Sequence, residues 1–323
     1  MSEKLTGALA EVLEPVLGTG VVVENLHALT GGASRTTWAF DAVTDNRRAL
    51  ILRTGPPDDV HAGMELEAAV QQRAAAAGAP VPHILAADNS PAALGNPYLI
   101  CDAIGGETIV RRIYRTLDDS GRERLLNQCA RALAAIHRAD YQGAGVPPSD
   151  QLSEWRDRLD EMGDTTATFE WAFRWLERNR PAPTPQVLVH GDFRMGNLIV
   201  DDDGLAAVLD WELVHVGEVY EDLAWFCIRA WRFGAPEERG AGGLGGVESL
   251  LSAYESAAGV TLDRDTFRWW LTVATLRWGV ICRYQAERHL SGMAESVELA
   301  AIGRRVSETE WDVHDLLEGG GPR

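Results

Sequence analysis

Two short apolar runs, 197–200 and 205–210, are joined through Asp201-Asp202-Asp203-Gly204. An Asp-Gly pair between such runs is a strong hairpin signal. In an antiparallel hairpin the first residue of one strand and the last of the other meet at the open end, which places Asn197 beside Asp210. Asp192, in His190-Gly191-Asp192, precedes Asn197 at Asp-x-x-x-x-Asn spacing. A chain that folds this way gathers three oxygen-bearing side chains at one point, and the remainder must build walls around them.

The surroundings of the hairpin read as helical. Leu125, Cys129, Leu133 and Ile136 fall on one face of a segment ending near His137, and helices are expected over 151–162, 166–178, 220–231, 247–257, 266–288 and 294–317. The Gly-rich stretch 240–246 reads as a mobile loop. Before residue 103 the pattern changes. Runs 21–29, 36–43 and 48–53 have strand character, separated by Gly31-Gly32-Ala33-Ser34 and Thr44-Asp45-Asn46. A helix over 64–77, rich in Ala, Glu and Gln, stops at Gly78 with Pro80 and Pro82 beyond it, and strand runs 83–87 and 97–102 follow. The fold class expected is α+β, with a small β-rich N-terminal lobe over 1–102 and a larger, mainly helical C-terminal lobe over 103–323. A chain of 323 residues, 46% hydrophobic and 24% charged, suffices for two packed lobes. In the leading segment 2–17, Leu5, Leu9, Val12, Leu13 and Val16 follow helical spacing with Glu11 and Glu14 between them, as in a surface helix rather than a signal peptide.

Thirty Lys and Arg against 48 Asp and Glu leave a net charge of −18, so nucleic acid and anionic membranes are repelled and any phosphate must be held locally. The longest apolar stretch, 269–282, is interrupted by Arg277 and falls short of the roughly 20 residues that span a bilayer. Cys101, Cys129, Cys227 and Cys282 stand singly, which suggests neither a disulfide framework nor a zinc site and fits a reducing cytoplasm.

The Asp192–Asn197 spacing matches the catalytic loop of kinases in residue type and distance. Phosphoryl transfer needs a hydroxyl aimed in line and cations that neutralise the transferred group. Asp192 is the candidate base, an assistance worth about 10² to 10⁴ in rate. Asn197 and Asp210 offer the oxygen ligands that suit Mg²⁺, which takes its remaining ligands from water and substrate phosphates. His190-Gly191-Asp192, Asn197, the hairpin and Leu209-Asp210-Trp211-Glu212 together resemble the signature of the aminoglycoside and choline kinase-like phosphotransferases. More narrowly, HGDFRMGNLIV with VLDWEL is similar to the phosphotransferase-like domains fused to some acyl-CoA dehydrogenases and to their stand-alone bacterial relatives.

The resemblance implies a protein kinase-like two-lobed fold, a nucleotide, ATP or GTP, with Mg²⁺ as cofactors, and a small-molecule alcohol as acceptor. It implies that Gly32 and Ser34 lie over the nucleotide phosphates, and that Arg53 on the third strand stands where most kinases use Lys. Glu67, with Glu65 as fallback, is its implied helix partner. Cys101, Asp102 and Ala103 occupy the connection that holds adenine by backbone hydrogen bonds, with Cys101 itself a packing residue. Arg194 sits where a cation stabilises the transferred phosphate. His190 is expected to brace the loop, Trp211 to pack, Glu212 to reach towards the metal or substrate, and Asp222 to tie its helix to the catalytic loop. Gly217-Glu218-Val219 departs from the Gly-Asp-Pro common in relatives, which bears on the local turn.

The acceptor is left open between a cationic amino alcohol or aminoglycoside and a hydroxyacyl group or its CoA thioester. Glu154, Asp157, Asp160 and Glu161 could serve a cation but, interleaved with Arg156 and Arg158, read as a solvated helix face. Trp155, Trp171, Trp175, Trp269 and Trp270 would suit an apolar pocket, though most belong to a core. A silent nucleotide- or metabolite-binding protein is the alternative from another class. A metal-dependent phosphoesterase would need further His and Asp ligands, and only His215 lies near the motif. Oligomeric state is not legible.

Overall fold

The computed structural model describes residues 2–29, 35–56 and 62–319. Its leading helix α1 (Ser2–Leu17) packs on a five-stranded antiparallel sheet formed by β1 (Val22–Leu29), β2 (Thr36–Val43), β3 (Arg47–Thr54), β4 (Ile84–Asp88) and β5 (Tyr98–Asp102), in the order β1-β2-β3-β5-β4. Side chains alternate across a strand. Leu50 and Leu52 of β3 join Phe40, Tyr98 and Ile100 against Leu9 and Leu13 of α1. Ile51 of β3 faces the other side, where Leu99 and Cys101 pack on Met64 and Ala68 of α2 (Met64–Ala76). The same alternation aims Arg53 at the α2 side.

The rest is built from α3 (Val110–Thr116), α4 (Asp119–Arg138), α5 (Gln151–Glu161), α6 (Ala167–Arg178), α7 (Val219–Cys227), α8 (Val247–Ala258), α9 (Arg264–Leu290), α10 (Val297–Gly303) and α11 (Val306–Leu317). The apolar face expected on α4 is buried against this core, with Leu125, Cys129, Leu133 and Ile136 all at 0% exposure. The hairpin forms as β7 (Leu198–Asp201) and β8 (Gly204–Val208), with Asp201 Oδ1 accepting from the amides of Asp203 (2.9 Å) and Gly204 (3.1 Å) at the turn. A second antiparallel pair, β6 (Gln186–Val189) with β9 (His215–Glu218), was not foreseen, each strand being four residues long and too short for a period. α3 was missed for the same reason.

Three expectations are corrected. The helix placed over 220–231 ends at Cys227, because Ile228 is extended (φ −63°, ψ 148°) and a 3₁₀ turn, Arg229–Arg232, follows. The single helix over 294–317 is two, α10 and α11, with Arg304 and Arg305 between them. The stretch 240–246 is a packed turn. Ala241 and Gly245 bridge one another, Gly242 donates to the Phe226 carbonyl at 3.0 Å and accepts from the Tyr114 hydroxyl, and Ala241 is fully buried. Its glycines serve positive φ, +55° at Gly242 and +71° at Gly243, beside rings that leave no room for a Cβ. All four cysteines are buried and unpaired, and burial pushes the Cys101 thiol up to about 12. Among the described residues, no helix is long and apolar enough to cross a membrane.

Candidate active site

The loop from β6 to β7 carries His190, Asp192 and Arg194, and its shape is fixed from beneath. Asp222 on α7 accepts from the backbone N–H of His190 (Oδ2, 2.8 Å) and of Gly191 (Oδ1, 2.9 Å), and from His137 Nε2 at 3.2 Å. Burial alone would raise the Asp222 carboxyl, but His137 and the His190 amide hold it below the usual range. His137 is braced in turn by the Tyr254 hydroxyl at 2.8 Å. His190 donates from Nε2 to the Leu209 carbonyl (3.0 Å) and accepts at Nδ1 from the Asp192 amide (3.1 Å). Burial pushes the His190 pKa down, in keeping with this neutral tautomer. The ring therefore staples the loop to the end of β8, with both of its nitrogens engaged.

The Asp192 carboxylate meets three donors. Trp225 Nε1 donates to Oδ1 at 2.7 Å, Asn197 Nδ2 to Oδ2 at 2.7 Å, and Arg194 Nε to both oxygens at 3.1 Å. Arg194 also lies over the Trp231 ring, 4.9 Å from its centroid. The hairpin brings Asn197 to Leu209, whose amide donates to the Asn197 carbonyl at 2.8 Å, and so next to Asp210. Because Asn197 uses its amide nitrogen towards Asp192, its amide oxygen is the atom left to face a cation. Asp210 has φ +65°, a left-handed conformation that Asp tolerates better than most residues.

Across the cleft, Arg53 forks between two carboxylates: Nη1 to Glu67 Oε2 and Nη2 to Asp210 Oδ1, each at 2.8 Å. Burial would lower the Arg53 pKa, and the charges of Glu67, Asp210 and Glu212 raise it instead. Glu67 is fully buried, and burial pushes its carboxyl up against the pull of Arg53 and Arg35. Arg35, absent from the sequence reading, lies 2.9 Å from Glu67 Oε1, outside hydrogen-bonding alignment, and 3.5 Å from Glu212. Glu65 instead pairs with Asn89 at 2.9 Å on the surface, so the fallback partner for Arg53 is excluded.

Gly32 and Ser34 lie outside the described residues. At the connection, Asp102 and Ala103 donate their amides to the carbonyls of His83 and Ala49, both at 3.0 Å, and the Asp102 carboxylate is held by Arg48 at 2.6 and 2.8 Å. Those two N–H groups are engaged in these bonds. Cys101 is buried between β3 and β4.

Of the tryptophans singled out from sequence, Trp155 reaches the site, its ring centroid 5.5 Å from the Arg277 guanidinium. Trp171 is 40% exposed, and Trp269 and Trp270 are core. Trp225, Trp231 and Trp278 gather, with ring centroids 5.3 Å (Trp225–Trp231) and 4.7 Å (Trp231–Trp278) apart. Beside them Arg277, buried, stacks 4.2 Å from the Trp225 centroid and donates Nη2 to the Gly191 carbonyl at 2.9 Å. Sequence showed Arg277 only as a break in an apolar run. Trp231 and Trp278 also line a cleft of 790 Å³ whose other walls come from α9, α11 and the 3₁₀ turn. Two of the four acids of α5 are paired with arginines, Asp160 with Arg156 and Glu161 with Arg158, and Arg156 also holds Glu170 of α6, in keeping with a solvated face. Among the described residues no group of three or more His, Cys, Asp or Glu could hold a metal on its own.

The model of the phosphotransferase enzyme family matches residues 25–269. Mouse acyl-CoA dehydrogenase family member 10 is 27% identical over 333 aligned residues, covering 94% of this chain and 31% of the relative. The chain thus spans about a third of the length of this relative. Among solved structures, a Ralstonia eutropha protein assigned as an aminoglycoside phosphotransferase superposes with a TM-score of 0.79 at 22% identity, covering 98% of this chain and 99% of that one. A thermostable mutant of aminoglycoside phosphotransferase APH(4)-Ia, solved with ADP and hygromycin B, gives 0.66 at 19% identity over 98% and 99%. These likenesses show the protein kinase-like two-lobed fold, and the family match over most of the chain shows that it belongs to the phosphotransferase enzyme family.

Proposed function

We propose that the chain transfers the γ-phosphate of ATP to a hydroxyl of a small molecule. The observation that carries this reading is the convergence of Asp192, Asn197 and Asp210 at the open end of the hairpin, opposite Arg53 and Glu67 on the other side of the cleft. Asp192 accepts the hydroxyl proton and orients the oxygen. Asn197 and Asp210 present hard oxygen donors of the kind Mg²⁺ takes from a protein, one or two carboxylate or amide oxygens with the rest from phosphates and water. Asn197 and Asp210 would hold a Mg²⁺ that supplies the charge neutralisation which phosphoryl transfer needs. Arg53 is placed to meet the nucleotide phosphates, and Arg194 to meet the transferred group once it leaves Asp192. The lobes on either side are proposed to divide near residue 102, the first holding the nucleotide and the second the acceptor.

The cleft beside Trp231 supports the hydroxylated acyl class of acceptor over the cationic one. Its four arginines balance its four acids: Arg229 pairs with Asp312 (2.8 Å) and Arg305 with Glu308 (3.2 Å), while Arg111, Arg232, Glu237 and Asp315 have no salt bridge among the described residues, so the preference comes from its unmatched donors. Arg232 Nε and Trp231 Nε1 are buried donors without an acceptor. Unmatched buried donors are costly and are satisfied by a ligand rich in carbonyl, carboxylate or phosphate oxygens. A magnesium-dependent ATP-consumption screen over hydroxy acids, hydroxyacyl-CoAs, amino alcohols, sugars and aminoglycosides tests both levels. Turnover with a hydroxyacyl compound is expected, and turnover confined to amines would reverse the choice of acceptor.

A further inference from the structure

Each oxygen of Asp192 accepts one short hydrogen bond, from Trp225 Nε1 or from Asn197 Nδ2, and both share a longer, bifurcated one from Arg194. The three donors differ in how firmly they are held. Asn197 is fixed by the hairpin. Trp225 is 2% exposed on α7, wedged between Arg277 and the Trp231 and Trp278 rings. Arg194 is on the loop itself, with 26% of its side chain exposed. Arg194 has the longest bonds of the three and a partly exposed side chain on the loop, which makes it the donor most readily swung aside for an acceptor hydroxyl, with the other two left in place.

We infer that Trp225 is a positioning residue for phosphoryl transfer, its indole N–H fixing the rotation of the Asp192 carboxylate so that the face now covered by Arg194 is the one offered to the acceptor hydroxyl. This rests on the phosphotransferase reading above. A carboxylate that is free to turn about its terminal torsion, which is soft, would present a lone pair to the hydroxyl only part of the time. The two oxygens turn together about that torsion, so with Asn197 alone its setting would hang on a single hydrogen bond, and Trp225 holds it from the opposite oxygen. Arg277 completes the device. It clamps the Trp225 ring from one side and the Gly191 carbonyl from the other, linking the indole to the loop that bears Asp192.

Trp225→Phe removes the N–H and keeps a ring for Arg277 to stack on. The expected result is a fall in kcat of about ten- to a hundredfold, the scale of a small misplacement of a reacting group, with KM for ATP and for the acceptor within about twofold of wild type. The indole resonance missing from the ¹H–¹⁵N spectrum of this variant identifies Trp225, and in Asp192→Ala that resonance should move upfield as its acceptor is lost. An unchanged kcat in Trp225→Phe, or an indole resonance indifferent to Asp192→Ala, overturns the inference. A fall in kcat matched by a rise in KM and a lost melting transition assigns Trp225 to the core alone and overturns it too. If the wild-type protein turns over no acceptor, the phosphotransferase reading fails first, and the wild-type rate tells that failure from one of Trp225.

Discussion

Arg53 on β3 and Asp210 beyond β8, 157 positions apart in sequence, are joined by a hydrogen bond of 2.8 Å from Nη2 to Oδ1. The same guanidinium holds Glu67 through Nη1, so one planar fork ties the sheet, α2 and the hairpin end together.

A lysine cannot reproduce that fork, because an ammonium is a point charge without two parallel donors. Arg53→Lys should keep the fold and raise KM for ATP about tenfold, the equivalent of roughly 1.4 kcal/mol. Arg53→Met should do more. Removing one partner of a buried pair costs roughly 3–5 kcal/mol when the other is stranded. Arg35 remains beside Glu67, so the loss should lie at or below the low end of that range. Thermal denaturation and steady-state kinetics on the two variants check this. Equal KM values for all three proteins would remove Arg53 from the nucleotide site.

Asp192→Asn keeps the side-chain shape but places an amide where three donors converge. The rate with the preferred acceptor should fall by roughly 10² to 10⁴, while ATP still raises the melting temperature. The protein itself should melt a few degrees lower, because the new NH₂ faces a donor. Full activity in this variant would show that Asp192 is not the base.

Much of this was legible in the chain. The Asp-Gly turn and its flanking apolar runs were enough to bring Asn197 next to Asp210, because register follows from the turn. The resemblance picked out Arg53 on the third strand, and in the fold the alternation of β3 aims it away from Leu50 and Leu52. What escaped depends on long-range packing. Trp225 reads as one apolar residue among several on α7, and only the fold puts its N–H on Asp192. Arg35 adjoins Gly31-Gly32-Ala33-Ser34, yet its pairing with Glu67 requires α2 to dock on the sheet. Glycines at 240–246 suggest mobility by composition, whereas here they let the chain turn tightly under Phe226 and Tyr114. The break at Ile228 carries no Pro or Gly to announce it.

His215 offers a test by pH. Its Nδ1 faces the Leu213 carbonyl at 2.9 Å and its Nε2 faces Glu221 at 2.8 Å, so both ring nitrogens meet acceptors and the charged ring fits. Burial alone would lower its pKa, but the Glu221 hydrogen bond and charge outweigh it and raise the folded value. A raised folded pKa gives stability that is fully present below the unfolded value of about 6.5 and is lost as pH rises through the folded one. His215→Asn should therefore cost about 1.5–3 kcal/mol at pH 6, the range for hydrogen bonds to charged groups, and distinctly less at pH 9. Chemical denaturation at the two values measures the difference. A penalty that grows with pH would mean the ring is neutral in the fold.

Gly191 separates backbone strain from crowding at the catalytic loop. It has φ +84°, and a Cβ there would overlap the Leu213 carbonyl. Its amide donates to Asp222 and its carbonyl accepts from Arg277, so the loop cannot shift without breaking one of them. Gly18 is the control, with φ +97° and nothing within 4 Å of an added Cβ. Gly18→Ala should show only the left-handed penalty of about 1–2 kcal/mol and leave the rate untouched. Gly191→Ala should carry that penalty and, by displacing Asp192, lose a hundredfold or more in kcat on the scale of a 1 Å misplacement. Melting curves and kcat for the pair decide the matter. If both variants melt alike and both remain active, the Leu213 carbonyl yields to the methyl, and the loop is not the rigid mount that its hydrogen bonds to Asp222 and Arg277 imply.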